Sequence, residues 1–307
     1  MRLRYDEDFV EAAVLLCATG RRKGASPMLM ARFNRERDKL YDILDPDDRN
    51  AAFFRLHLDW FREWGLERHL TSPLKEFPLL TEALEILAFR KSRGKADDGA
   101  ELYVNESGER NGVVAIQPER LERDAELLAF LRHEFTHLHD MVDPAFAYHP
   151  ELMVLSPSLG SQRLARERYR LLWDVSIDGR LTRSGHGTVA SKDQLWSEFT
   201  GAFAFWGEAR HREVFGFLWN NPHLTHHDLE ELVCDPRQQQ TARGPSPGAP
   251  CPLCGFPTFA WADQARLTNK MVIAIESEFS HWAPAHGVCA RCSEIYRIKG
   301  LQIPLTV

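Results

Sequence analysis

The chain has 307 residues, 44% of them hydrophobic and 27% charged, and a net charge of −6. Those values exclude wholesale disorder and a fibrous chain, and at about 150 residues per domain the length admits one large domain or two. A mildly acidic protein has no global attraction for phosphate backbones, which argues against a nucleic-acid partner, and no apolar run approaches the ~18 residues of a membrane span. The apolar stretch at 10–18 contains Glu11 and follows Asp6, Glu7 and Asp8, where a secretory signal would want basic residues. The expected compartment is therefore cytoplasmic, where cysteines stay reduced.

In chain order, the first hundred residues read as helical scaffold. An apolar stretch at 10–17 ends at Gly20 and is followed by a basic turn, 21–24. Residues 27–44 are rich in helix formers, and Asp45-Pro46-Asp47-Asp48 reads as a stop followed by a new N-terminal cap. The run 51–64, with Phe53, Phe54, Trp60, Phe61 and Trp64, is too apolar for a solvated helix, and 79–89 reads as a further helix. After a loop at 92–100, the β-prone runs 101–104 and 112–116 flank a Gly/Asn-rich turn and predict a hairpin. Pro118 opens a long helical pattern to about 141, a Pro-containing loop covers 142–161, and 163–181 returns to helix. Residues 192–219 read as one long aromatic helix or two. The stretch 236–250 is a Pro/Gly/Ser-rich linker that cannot build a core. The expected organisation is a domain over 1–235, the linker 236–250, and a small module over 251–307.

His133-Glu134-Phe135-Thr136-His137 lies inside the long helical pattern, with no Pro or Gly within it. Residues four apart share a helix face, so both imidazoles can reach one cation, while Glu134, one residue round, can reach a water but not serve as a primary ligand. Zinc held by three protein ligands keeps a fourth position for water and lowers its pKa to near 7, and an adjacent carboxylate can take that proton. This spacing predicts a catalytic zinc with Glu134 as general base.

The third ligand is less local. Asp174 and Asp178 lie one helical turn apart in the later helical stretch, on the face that also carries Leu171 and Leu181. A carboxylate on an apolar face is costly to bury unless it is paired or binds metal. Asp174 is the candidate ligand and Asp178 the acceptor that would orient a ligating imidazole. The alternatives are Asp178 itself and His149, which follows His137 in a Pro-flanked loop. Arg163, Arg166, Arg168, Arg170, Arg180 and Arg183 would be the partners if the aspartates formed ordinary salt bridges. His139 points off the metal face. Tyr148, His149 and His186 are available to stabilise an oxyanion, and each also reads as an ordinary loop residue.

The HExxH motif resembles that of the zincin metallopeptidases. The resemblance implies an α+β, mainly helical catalytic domain with a small β-hairpin or sheet, an edge strand just before the active-site helix that binds extended peptide, and hydrolysis of a peptide or protein substrate. The Asp174/Asp178 spacing is similar to the Glu-x-x-x-Asp pattern of gluzincins, with Asp in place of the ligand Glu.

Cys251-Pro252-Leu253-Cys254 and Cys289-Ala290-Arg291-Cys292 form two Cys-x-x-Cys pairs, set further apart than a minimal zinc ribbon needs. Four thiolates complete a tetrahedral zinc, so this site is predicted to be structural and closed, with a helix over 262–279 inserted between the pairs. The module over 251–307 is too small to rest on core burial alone, and its folding is expected to be coupled to metal. Two zincs per chain are thus expected, one catalytic and one structural. Cys17 and Cys234 read as core residues, and His281 and His286 are not needed as ligands. The module would cover the cleft or recognise a protein partner. The layout also resembles that of Spartan-type DNA–protein-crosslink proteases, in which a histidine, here His149, would be the third ligand. A non-catalytic assembly or regulatory protein with two structural zincs is the remaining alternative.

Overall fold

The computed structural model describes residues 1–20, 26–152, 159–233, 248–263, 266–279 and 282–301. The basic turn at 21–24, Cys234, His281, the linker up to 247 and the last six residues lie outside the described residues. The protein is α+β and mainly helical with a small sheet. It divides into two compact units, Met1–Leu152 with Glu167–Leu232, and Met153–Arg166 with Val233–Val307. No helix among the described residues is long and apolar enough to cross a membrane.

The sheet of the first unit has the order β1-β2-β4-β3. Strands β1 (Arg2–Tyr5), β2 (Ile86–Lys91) and β4 (Arg110–Ile116) run parallel, and β3 (Gly99–Val104) pairs antiparallel with β4 from Gly99↔Ala115 to Val104↔Arg110. The predicted hairpin is present and longer than its β-prone runs. Two strands correct the sequence reading. β1 falls in a region read as wholly helical. The helix expected over 79–89 is instead the short α5 (Pro78–Ala83) followed by β2. The stretch Ile-Leu-Ala-Phe-Arg-Lys has good helix formers, but Leu87 and Phe89 are fully buried while their neighbours are only partly so, the alternation of a strand. Parallel pairing between β1 and β4 decides the conformation, and no local pattern announces it.

Between β1 and β2 the chain forms α1 (Glu7–Ala18), α2 (Pro27–Asp38), α3 (Pro46–Glu63) and α4 (Leu66–Thr71). The Asp45 stop acts as read: its carboxylate accepts a bond from the Asp48 N–H at 2.9 Å and caps α3. Phe9, Trp60, Phe61, Leu80, Leu87, Phe89, Ile116, Phe135 and Leu138 belong to one buried cluster, which joins these helices, the sheet and α6 (Asp124–Val142). The helix expected from Pro118 onward is split into a 3₁₀ turn at Pro118–Glu122 and then α6, with Asp124 and Glu126 in the first turn complementing the helix dipole.

Helix α7 (Leu159–Arg183) belongs to this unit from Glu167 onward. The aromatic stretch after it is two helices, α8 (Lys192–Ala202), opened by a Ser191/Gln194 capping box, and α9 (Glu208–Asn220). Gly179 lets α7 lie against the backbone of Trp219, since a Cβ at this position would overlap the Trp219 carbonyl oxygen. Helix α10 (His226–Val233) follows.

In the second unit, α11 (Asn269–Glu278) and α12 (Ala290–Leu301) pack around Ala274, Ile275, Trp282, Val288 and Tyr296. The inserted helix is shorter than expected, because Thr268 caps it by accepting the Met271 N–H. The last three residues of the stretch read as linker make local contacts of their own. The Gly248 N–H donates to Thr258 O, the Thr258 N–H donates to Ala249 O, and Pro250 bridges Pro257, so they form a turn ahead of the first cysteine pair.

Candidate metal centres

Helix α6 carries His133 and His137 one turn apart, both about 95% buried (6% and 5% exposed). Their Nε2 atoms converge on one oxygen of Asp174, on α7, at 3.3 and 2.9 Å. A tetrahedral cation with bonds near 2.0–2.1 Å would set its ligand atoms about 3.3 Å apart, so the spacing suits a metal. Proton bookkeeping agrees. Nδ1 of His133 lies 2.7 Å from Asp178 Oδ1 and donates its hydrogen there. In the neutral ring that leaves a lone pair on Nε2 aimed at the Asp174 carboxylate, two acceptors facing each other. A proton or a cation must sit between them. Accordingly, although burial opposes the charge on His133, the Asp174 and Asp178 carboxylates push its pKa up to about 10. Burial likewise works against the Asp174 charge, and bonds from His133 and His137 outweigh it and hold the carboxyl well below its usual range. The Asp174 side chain keeps 25% of its surface exposed, so the cluster opens to solvent on that side.

Glu134 is 5% exposed and stands outside the three-residue group. Its Oε2 accepts the Ala100 N–H of β3 at 2.7 Å. Among the described residues β3 pairs with β4 alone, so its other edge, the one carrying that N–H, is free in the sheet. Here the structure corrects the implied arrangement. The strand immediately before the helix, β4, is internal; the hairpin folds β3 outside it, and β3 is the edge beside the site. Gly99 is required there. With φ at +149°, a Cβ would lie 3.6 Å from Glu134 Oε2 and 3.3 Å from Arg170 Nη2. Arg170, one turn before Asp174 on α7, therefore brings a guanidinium to the mouth of the site, and it has no hydrogen-bond or ion-pair partner among the described residues.

The helices are held in register by a second set of contacts. Asp178 is 1% exposed and its Oδ2 accepts the Ala190 N–H at 3.3 Å. Asp140, on α6, accepts Trp173 Nε1 at 2.8 Å and both Arg180 terminal nitrogens at 2.9 and 2.5 Å, all from α7. Burial resists the Asp140 charge, yet hydrogen bonds from His139 and Arg180 bring its pKa down to about 2. The Trp173 ring in turn meets His137 edge-on at 4.5 Å.

Asp174 thus lies against both imidazoles and Asp178 against His133 Nδ1, and neither pairs with an arginine among the described residues. His149 is exposed, its Nδ1 occupied by the Glu151 backbone, and it is not part of the cluster. His139 turns to Asp140. Tyr148 packs 5.6 Å from the Trp173 ring, and His186 sits in the turn after α7. Sequence reasoning missed the Asp140–Arg180–Trp173 clamp. It also missed the buried Tyr169 hydroxyl bonded to His226 Nδ1 at 2.6 Å, and the placement of Arg170. The i, i+4 spacing of Arg170 and Asp174 was a signal that they share a face. Nothing local said that β3 and Glu134 would meet them.

In the second unit Cys251, Cys254, Cys289 and Cys292 bring their sulfurs within 4.8 Å of one another. Cys254 and Cys289 are 3.9 Å apart, against about 3.8 Å for two sulfurs at 2.3 Å from a tetrahedral zinc. All four are free thiols, and only Cys254 is exposed. Burial resists a thiolate at Cys251, but N–H groups of Cys289, Cys254 and Leu253 point at its sulfur and lower its pKa to about 7. Burial and the neighbouring sulfurs push Cys292 up, the repulsion expected of thiols gathered for a cation. Both donor sets are compatible with a metal. Scans of family models, curated proteins and solved structures find no match to this chain.

Proposed function

We propose that the first unit is a zinc-dependent peptidase of the zincin kind and that the four-cysteine cluster holds a structural zinc. The observation that carries the reading is the division of labour around α6. Two imidazoles and Asp174 form a three-donor group open to solvent, while Glu134, between the two histidines in sequence, is kept out of that group and tied to the free edge of β3. A purely structural site has no use for that carboxylate. His133, His137 and Asp174 would hold a divalent cation, which would supply Lewis acidity to polarise a peptide carbonyl and lower the pKa of water at neutral pH.

The chain's own residues do the rest. A peptide laid along β3 as an added strand brings its backbone to Glu134. Glu134 exchanges its bond from Ala100 for a water, takes a proton as that water attacks the carbonyl carbon, and passes it to the amine as the C–N bond breaks. Asp178 fixes the tautomer of His133 so that Nε2 faces the cation. Arg170 adds positive charge at the lip, where the carbonyl oxygen gains negative charge. The Spartan-like alternative calls on His149, which is exposed and turned to its own loop.

The test is hydrolysis of a fluorogenic peptide library by the zinc-loaded chain. Glu134→Gln should retain both metals and lose activity by a factor of about 10²–10⁴, the usual worth of a general base. Full activity in that variant refutes the reading.

A further inference from the structure

The helical scaffold of the first unit contains a recess that peptide hydrolysis does not use. Its volume is about 270 Å³, and Glu7 and Glu11 of α1, Tyr41, and Asn50, Phe53 and His57 of α3 line it. The placement follows from helical spacing. Glu7 and Glu11 are one turn apart on one face of α1, Phe53 and His57 one turn apart on α3, and the packing of Phe9 on Phe61 at 6.1 Å brings the two helices together.

Three features set this recess apart from an ordinary surface hollow. Neither Glu7 nor Glu11 has an ion-pair partner among the described residues, whereas Arg32–Glu36 and Arg37–Asp38 on α2 are paired. His57 is 4% exposed, yet its ring nitrogens make no hydrogen bond among the described residues and are not sealed from solvent, so they meet it through the recess. An imidazole this buried ordinarily finds a partner. Finally, the walls are aromatic: Tyr41 meets Phe53 edge-on at 5.2 Å, and the His57 ring lies 6.1 Å from Phe53 and 6.0 Å from Phe33. Burial lowers the His57 pKa, Glu11 works against that, and nearby Arg37 reinforces it, so the ring presents a lone pair.

Two unpaired carboxylates, an imidazole acceptor and π faces complement a cation that carries N–H donors. A bare metal ion does not fit, because these groups do not converge to ligand distances as the two clusters above do. A quaternary ammonium would leave His57 unsatisfied. We propose that this recess binds an alkylammonium or guanidinium group, its N–H donors on His57, Glu7 and Glu11 and its chain against Tyr41 and Phe53. The bearer is a free diamine or a Lys or Arg side chain of a peptide.

The experiment titrates the metal-loaded full chain with cadaverine, N-acetyl-lysine methylamide, N-acetyl-arginine methylamide and tetramethylammonium, following histidine ring resonances by NMR, with the His57 signal assigned by its loss in His57→Gln. Expected are a saturable His57 shift with at least one N–H cation and at least fivefold weaker binding of tetramethylammonium. The Glu7→Gln/Glu11→Gln double variant should bind at least tenfold more weakly, with an unchanged circular dichroism spectrum and melting temperature. Tyr41→Ala, at an exposed position, should loosen binding at least threefold should the double variant fold poorly. Tighter binding of cadaverine identifies a diamine, and tighter binding of either amino-acid derivative a peptide side chain. No saturable shift with any N–H cation, equal binding of tetramethylammonium, or undiminished binding by the folded variants overturns the proposal.

Discussion

The two donor clusters are built on opposite plans. Around Cys251, Cys254, Cys289 and Cys292 the small second unit has little else: three of the four sulfurs belong to residues of its buried core, beside Ala274, Ile275, Trp282 and Val288. Around His133, His137 and Asp174 the core is complete without the cluster, because α6 is packed by Phe130, Phe135 and Leu138 and clamped to α7 by Asp140, Arg180 and Trp173. The difference teaches which metal carries folding energy. On the proposed reading, a closed four-thiol set inside a minimal core would make the unit's fold conditional on an ion, whereas an open three-donor set on two long packed helices would leave an ion free to serve chemistry.

The largest expected effect breaks the first plan alone. Cys251→Ser, or a strong chelator, removes a contribution on the order of 10 kcal/mol from the second unit, the scale of structural zinc binding. Limited proteolysis should then cut within residues 251–301 while the melting transition of the first unit persists; a second unit that stays protected would show that its core suffices. The Glu134→Gln loss of about 10²–10⁴ in activity comes next, worth about 3–5 kcal/mol of barrier, and it leaves both units folded.

Asp140→Asn attacks the clamp rather than the metal. Leaving Arg180 without its buried carboxylate should cost about 3–5 kcal/mol, read as a melting temperature lower by roughly 10 °C for a unit of this size. It also has a pH signature. The Asp140 carboxyl titrates at about 2 when folded, below the ~3.9 of an unfolded aspartate. Its stabilisation is therefore complete above about pH 5 and fades as the pH falls toward 2, and Asp140→Asn should lack that acid-sensitive component in urea melts. Smaller still is Asp178→Asn. It leaves the three donors in place and loosens the hold on the His133 tautomer, so zinc affinity at the open site should fall roughly 10- to 100-fold while the four-cysteine site is untouched. Equal loss at both sites would contradict their independence.

Some of this was legible in the chain because it is local. The i, i+4 imidazoles, the Glu between them, the two Cys-x-x-Cys pairs, the Asp45 cap and the hairpin read over 101–116 all depend on residues a few positions apart, where helix and turn geometry dictate which side chains can meet. The Asp174/Asp178 pair was legible as an acidic pair on an apolar face, and only the meeting of α6 with α7 sorted it from His149. The misreading at 79–89 shows the boundary sharply. Leu87 and Phe89 are as compatible with a helix as with a strand, and what settled them was a parallel neighbour far back in the chain at Arg2–Tyr5.

By itself, then, the sequence determined the donor types, their spacing and the helical or turn context that points them the same way, since these follow from backbone periodicity. Tertiary structure alone decided that β3 rather than β4 lies at the edge, that Arg170 and Glu134 face one another across Gly99, that Asp140 locks α7 to α6, and that Glu7, Glu11 and His57 share a recess. Each of those outcomes joins segments distant in the chain, and such contacts are selected by burial and strand pairing over the whole fold rather than by any pattern within one window of residues.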